Sequence, residues 1–537
     1  MASCKKCQSN FEVSKNDLLF YQKMSPVIEG RVFLLPPPQL CPSCREQRRL
    51  CFRNERHLYK RFSSLSGEAI ISTYNPSKSY TVYSPKEWWS DVWDGLNYGL
   101  DIDFNRPFFE QFDELWKKVP QIALLNTNNE NAEYATFSEQ DKNCYLVFAS
   151  NRNEDCYYCS YIWDSKNCMD CLSTERCENC YMCVDCINCY QSFFTQNSQD
   201  SHNLSYCYDC RACHDCFACS SLRKKSFCIL NQDYSEAEYK KILSDPQSVQ
   251  KILQEFETLK RSMPRLFANL TLCEEVTGSN LRSCHHATHA FDCFECEDVA
   301  WVENCPGKVK DGYDISGATH SELVYELVSV AYGYRLFACL YTHTSLSESF
   351  YCVACPGSSN LFGCTGLKKQ SFCILNKQYS KEEYFQLLPK LIEHMQKTGE
   401  WGEFFPANLS PYDYEETAAQ EHYPLPLNNS LQPLTVIYAP DALSCQSCKK
   451  SYKTIPQEDK FYQEMRIPRP PLCPDCRHKL RFKERLPKKI WPRACKNCGL
   501  KLESPYEPGR PEPVYCEKCY LSLVYGNFAT VLLSLSI

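Results

Sequence analysis

From Cys144 to Cys228 the chain keeps neither of the two common rhythms. A half-buried strand alternates apolar and polar residues every second position and a helix repeats every 3.6, yet the 16 cysteines of this stretch stand at separations that are all multiples of three. Steps of twelve from Cys144 meet Cys156, Cys168, Cys180, Ser192, Leu204, Cys216 and Cys228, and the residues just before them include Asn143, Asp155, Asn167, Asn179, Asn203 and Asp215. A short Asn or Asp side chain bonds its own backbone and suits a corner. The pattern predicts a narrow β-solenoid of twelve residues per coil, with coils stacked at ~4.8 Å and cysteines laddered along the axis. A perimeter of about 12 × 3.3 Å admits only small inward side chains, and cysteine is small and readily buried. The rhythm lapses between residues 190 and 206, which hold no cysteine.

The same design recurs further on. Residues 222–231 and 367–376 share Leu-x-Lys-x-Ser-Phe-Cys-Ile-Leu-Asn at an offset of 145, and each copy is followed by a Ser-x-x-Glu capping box, Ser235 with Glu238 and Ser380 with Glu383. Each array is therefore expected to close with a helix that covers its open end. The second array is sparser, keeping Cys284, Cys293, Cys296, Cys305, Cys339, Cys352, Cys355, Cys364 and Cys373. His285, His286 and His289 stand among the first of these. Cys284, His286, His289, Cys293 and Cys296 could form a further metal site, with polar corner residues as the alternative. For the ladder itself three readings stand open: inward spacers, ligands of zinc or an iron–sulfur cluster in sets such as Cys156, Cys159, Cys168 and Cys171, or disulfides across coils.

The two ends copy each other. Cys4, Cys7, Cys41 and Cys44 near the start match Cys445, Cys448, Cys473 and Cys476 near the end, with Phe20-Tyr21 and Phe461-Tyr462 between the pairs and C-P-x-C-R closing both. Two thiolate pairs separated by a loop of a few tens of residues make a tetrahedral zinc site with no open position. A third set, Cys495, Cys498, Cys516 and Cys519, predicts a compact zinc ribbon. Shifted back by 432 residues, those four positions hold Ser63, Ser66, Ser84 and Glu87, so the first copy is expected to have lost its metal, with Trp88, Trp89 and Trp93 supplying an apolar core instead. About three structural zinc ions are expected. After each C-P-x-C, the cations Arg45, Arg49, Arg53 and Arg56, and likewise Arg477, Arg481, Arg485 and Lys488, share one helical face. Guanidinium rows of this kind suit phosphate oxygens, although a solvated face would look the same.

Composition sharpens this picture. Of 537 residues 39 are cysteine, a number that points to thiolate metal sites in a reducing compartment before disulfides. The net charge of −6 conceals basic ends, +7 over residues 1–61 and +9 over 445–519, against −22 on the rest. No apolar run reaches the ~20 residues of a membrane span and the start has no apolar signal-peptide core, which together predict a cytoplasmic protein. Dinucleotide, Walker A, zincin and nucleophile-elbow motifs are absent, which points away from an enzyme.

The two C-x-x-C, Phe-Tyr, C-P-x-C-R segments resemble the probable zinc-binding treble-clef domain of bacteria. With the repeats between them and the segments Thr398 to Pro406 and Glu415-Glu416-Thr417, the whole layout resembles uncharacterised cysteine-rich zinc-ribbon repeat proteins of candidate-phylum bacteria. The resemblance implies zinc and a cytoplasmic location, and no reaction. The expected fold is multidomain, mainly β with helices, terminal zinc ribbons flanking two narrow cysteine-rich solenoid arrays. The chain then reads as a zinc ribbon with a basic helix (1–61), a degenerate ribbon (62–92), a helical connector (93–135), a first array (136–231) with a helical cap (232–265), a second array (266–376), a helix and linker (377–444), two further ribbons (445–494 and 495–520) and an uncharged tail (521–537). The expected function is a non-enzymatic zinc-binding scaffold whose basic ends hold nucleic acid, RNA more than DNA, or an acidic protein. The alternatives are a metal-handling or redox protein that works through its cysteine ladder, and a protein–protein interaction scaffold.

Overall fold

The structure is a computed structural model. It describes the chain except residues 171–179, 182–191, 286, 288–289, 295–302, 307–311, 314, 316–324, 327, 329, 332–339, 341, 344–345, 427–441, 465–467 and 526–537. Two compact units divide it, and each joins stretches far apart in sequence: Met1–Leu124 with Asn269–Asn428, and Leu125–Ala268 with Asn429–Ile537. The N-terminal cysteine segments thus share a unit with the second array, and the C-terminal ones with the first. Nothing in the sequence reading pairs them this way, because the faces that meet carry no shared motif.

In the second unit, strands Asn126–Thr127, Thr136–Glu139, Phe148–Asn151 and Ser160–Trp163 form one parallel sheet in chain order. Their register advances by twelve residues, with Thr136 opposite Phe148 and Phe148 opposite Ser160. The same register joins His202–Ser205 to His214–Phe217. An antiparallel strand, Gln232–Asp233, then ends the stack and leads into helix Glu236–Leu243, capped by Ser235 and Glu238. The interior holds Cys144, Val147, Cys156, Cys159, Ile162 and Cys168 in one cluster and Leu204, Cys207, Cys210, Cys213, Cys216, Cys219 and Cys228 in another.

The backbone explains the rhythm of three. Every third residue from Phe194 to Leu230 has positive φ, and nearly every third from Asn128 to Asp170 does too. The repeating Asn or Asp is therefore only one of the four positions in twelve residues that take positive φ. Tyr158, Tyr161, Ala212 and Ser221 turn corners as Asn143 does, with φ between 52° and 60°. A left-handed L-residue costs roughly 1–2 kcal/mol, and a β-branched one more, because Cβ crowds the following carbonyl. None of these corners is Val, Ile or Thr. Inter-coil hydrogen bonds offset the cost: the Asp155 N–H donates to the Lys142 carbonyl at 3.0 Å and that of Tyr158 to Tyr145 at 2.9 Å. On the outer surface Lys142 pairs with Glu130, and Lys166 with Glu154, along one column of successive coils.

In the first unit, strands Leu270–Thr271, Gly278–Arg282, Ala290–Phe294 and Glu303–Pro306 make a parallel sheet, and Ser359–Phe362 pairs with Ser371–Ile374 at twelve residues. Lys377–Gln378 turns back antiparallel before helix Lys381–Thr398, capped by Ser380 and Glu383. Helix Phe108–Lys118 buries Phe108, Phe109, Phe112 and Trp116 against Tyr351, Phe362 and Phe405, an aromatic core that the small-residue stack could not supply itself.

Candidate metal centres

Three cysteine clusters are built on one local plan. In each, the first C-x-x-C closes a tight turn between short antiparallel strands. The Cys4 N–H donates to Ser9 and that of Gln8 to Cys4; Cys445 bonds Lys450 and Lys449 bonds Cys445; Cys495 bonds Leu500 and Gly499 bonds Cys495, all at 2.8–3.0 Å. The residue after the second cysteine is left-handed each time, with φ of 62° at Gln8, 62° at Lys449 and 72° at Gly499. The other pair opens a helix. Cys41 and Cys473 are N-caps of Pro42–Leu50 and Pro474–Glu484, each with proline in the first turn, where its missing N–H costs nothing, and Cys516 immediately precedes Glu517–Tyr525.

Within each set the sulfurs all lie within 4.8 Å of one another. Cys7 and Cys41 approach to 3.6 Å, Cys448 and Cys473 to 3.7 Å, Cys498 and Cys516 to 3.8 Å. Four thiolates around one tetrahedral ion with metal–sulfur bonds of about 2.3 Å stand about 3.8 Å apart, so each set fits zinc or a similar ion. Burial pushes the Cys4 thiol up, but backbone N–H groups at Cys7 and Cys41 outweigh it and bring the thiol down to about 6, and the same balance holds Cys445 and Cys495 at about 6. A thiol that ionises near neutral pH is ready to ligate a cation.

The stretch 59–90 has the same backbone as 491–520 and different chemistry. Tyr59–Phe62 pairs with Ala69–Ser72 as Trp491–Ala494 pairs with Lys501–Ser504. Gly67, φ 76°, takes the place of Gly499. Val82–Tyr83 runs parallel to Gln121–Ile122, and Val514–Tyr515 to Arg265–Leu266. Where the cysteines stand in one copy, the carboxylate of Glu87 gathers hydroxyls in the other, from Ser63 at 2.5 Å and Ser84 at 2.8 Å. Burial pushes Glu87 up, yet the hydrogen bonds from Ser63, Ser66 and Ser84 prevail and hold it down at about 2. Trp88 and Trp93 are buried and Trp89 is exposed. Trp88 donates from its indole to the Pro120 carbonyl at 3.0 Å, and the Lys368 ammonium lies 4.7 Å from the Trp93 ring.

The cations expected to form two open basic faces are placed differently. Arg45, Arg49, Arg53, Arg477 and Arg481 are buried, and Arg56, Arg485 and Lys488 half-buried. Arg45 and Arg477 each bond the carbonyl just before the second cysteine pair, at Leu40 and Leu472. Arg477 also reaches Asp170 at 2.6 Å and Glu458 at 3.2 Å, and Arg481 reaches Asp170 at 3.2 Å. Glu458 accepts from the hydroxyls of Tyr158 and Tyr462 at 2.7 and 2.6 Å. In the other unit Arg53 pairs with Glu55, and Arg48, absent from the predicted row, bonds Glu326 at 2.8 Å and Glu403 at 2.8 Å. The expected helical face is not formed as a whole, because the helices end at Leu50 and Glu484, before Arg53, Arg56, Arg485 and Lys488; nor could the spacing show that Arg477 and Arg481 turn inward, since Asp170, which holds both, comes from a distant part of the chain.

The coil thiols are busy with backbone. Cys159 Sγ lies 3.2 Å from the Tyr157 carbonyl and 3.6 Å from that of Cys168, and Cys219 likewise faces Phe217 and Cys228 at 3.3 and 3.4 Å. A weak S–H donor thus serves inward carbonyls of its own coil and the next. Ser201 does the same at one of the positions without cysteine, 2.8 Å from the Gln199 carbonyl. Burial pushes the Cys207, Cys352 and Cys373 thiols up, whereas hydrogen bonds from Cys207 and Cys213 pull Cys210 down, and those from Cys207 and Cys216 outweigh burial at Cys219. Among the described residues no three coil cysteines bring their sulfurs within 4.8 Å of one another. Cys171, His286, His289 and Cys296, named in the two further candidate sites, lie outside the described residues.

No protein-family model and no curated protein matches the chain. A crystal structure described as a "putative acetyltransferase" from Desulfovibrio desulfuricans G20 is similar over 48% of this chain and 71% of that one, at 9% identity and a TM-score of 0.11. That likeness is too slight to inform fold or function. No described helix is long and apolar enough to cross a membrane.

Proposed function

We propose that the protein is a non-enzymatic zinc-binding scaffold in which three structural zinc ions fix ribbon and treble-clef modules onto two cysteine-lined β-solenoids. One observation carries this reading: each four-cysteine set closes on itself at sulfur separations of a complete tetrahedral shell, which leaves no position for a substrate. The twelve-residue register and the recurrent left-handed corners support the solenoids, and the thiol-to-carbonyl contacts support cysteine as an inward spacer rather than as the working part of a redox or metal-handling ladder. Metal content by mass spectrometry beside a thiol count tests it. About three zinc ions and many titratable thiols are expected; iron, or several more zinc ions, would favour metal handling.

Nucleic acid stands as the second reading, on different residues from those the spacing suggested. The metal knuckles carry exposed lysines: Lys5 and Lys6, Lys449 and Lys450, Lys496 and Lys501. Contacts from these to phosphate would release counterions, so RNA affinity would fall steeply with salt, and replacing all six by Gln would flatten the slope by roughly four to five units. A slope that survives the change points to an acidic protein partner.

A further inference from the structure

Among the described residues, one other group of donor side chains converges outside the cysteine sets. His202 and His214 lie directly opposite each other on paired parallel strands one coil apart. Strand spacing brings their rings to 5.2 Å between centroids, with planes 9° apart. Asp215 follows at a left-handed corner, φ 51°, and its Oδ2 lies 2.8 Å from Nδ1 of His214. Asn203, at the equivalent corner of the preceding coil, donates to Oδ1 of the same carboxylate at 3.2 Å. One ligand atom from each of His202, His214 and Asp215 lies within 4.8 Å of the others; His202 is exposed and the other two half-buried.

We propose that His202, His214 and Asp215 form a fourth metal site, which takes one divalent transition-metal ion reversibly from solution. The donor set decides the class. Two imidazoles with one carboxylate suit zinc, nickel or copper rather than magnesium or calcium, which take oxygen ligands. Three protein ligands leave positions for water, so this site is open where the cysteine sets are closed. The backbone is already ordered: both histidines sit in a hydrogen-bonded strand pair, and only side-chain rotation is needed to bring nitrogen and oxygen onto one ion. Asn203 anchors the carboxylate as an outer partner would. Lys240, a cation whose field reaches Asp215, is paired with Glu236 at 2.5 Å.

Calorimetric titration of the full-length protein, carrying its structural metal, with Ni²⁺ tests the assignment. One Ni²⁺ per chain is expected to bind with no zinc released. The double variant His202→Gln/His214→Gln should lose that equivalent while keeping its zinc content and unfolding temperature. Asp215→Asn removes a ligand, so it should weaken Ni²⁺ binding by at least the roughly 10-fold that losing an outer partner costs. Should the double variant lose zinc as well, His202→Gln alone, at an exposed position, decides. Native protein that takes up no Ni²⁺, or a His202→Gln variant that binds it as tightly as native, overturns the proposal.

Discussion

The stretches 491–520 and 59–90 build the same turn, the same hairpin and the same parallel strand contact around opposite chemistry. One surrounds its centre with four sulfurs, and the other fills it with the Glu87 carboxylate and serine hydroxyls. In the first an incoming cation would join four donors of like charge; in the second a fixed anion accepts from neutral donors, and no ion is needed. Both settle the same problem, which is how a segment too small to bury much apolar surface keeps its two halves together. The difference shows in how each attaches to its unit. Tyr520 bonds Asp209 and lies 2.9 Å from Arg223, a polar anchor, whereas the matching residue in the other copy is Trp88, buried in an aromatic cluster with Trp93. The carboxylate-centred copy therefore relies more on packing.

The largest way to separate the two is to remove metal. Cys516→Ser should release about one zinc and open residues 491–520, since the binding energy of a structural zinc, about 10–16 kcal/mol, is folding energy for the module that holds it. Hydrogen exchange read segment by segment should show protection lost there and kept over 59–90. Loss of protection in both segments would mean that the carboxylate-centred copy also depends on a metal.

The converse change asks how far the backbone alone defines the site. Ser63→Cys, Ser66→Cys, Ser84→Cys and Glu87→Cys together restore the four-thiolate set on a turn whose hydrogen bonds match those of 495–500: Ser63 to Glu68 at 2.8 Å and Gly67 to Ser63 at 3.0 Å. One additional zinc per chain is expected by mass spectrometry. An unchanged count would show that the sulfur positions depend on more than the shared turn.

Much of this was legible in the sequence, and the reasons are local. The three cysteine sets follow from spacing, because a C-x-x-C turn and a helix N-terminus bring sulfurs together without help from the rest of the chain. The correspondence of Ser63, Ser66, Ser84 and Glu87 with a cysteine set also followed from an ungapped offset. The coil length was readable from cysteine, yet its four corners were not, because tyrosine and leucine are unusual left-handed residues; the readable signal was negative, the absence of Val, Ile and Thr at every third position. The fate of the basic faces was not readable at all. Arg477 and Arg481 are held by Asp170, and such long-range ion pairs leave no periodic trace. The choice of array by each pair of ribbons belongs to the same class of contact. The His202–His214 pair was visible as two histidines twelve apart only once coil length became register.

The smallest effect expected is also the most specific to the carboxylate-centred copy. Glu87 is held at about 2, below its ordinary 4.5, so its hydrogen bonds stabilise the fold fully above about 4.5, and that contribution declines as pH falls from there toward 2. Between pH 5 and 8 it should not vary. Glu87→Gln removes the charge but keeps an acceptor, and should cost about 1 kcal/mol at pH 7, the difference between charge-assisted and neutral hydrogen bonds. Hydrogen exchange over 59–90, corrected for its intrinsic pH dependence, should fall in protection from pH 4.5 to 3 in the native protein and respond less in the variant. Acid reaches 491–520 by another route, through protons that compete with metal for sulfur, so Glu87→Gln should leave the acid response of that segment unchanged. An equal response of both proteins over 59–90 would assign the acid sensitivity to other carboxylates and reduce Glu87 to a helix cap for Pro85–Trp89.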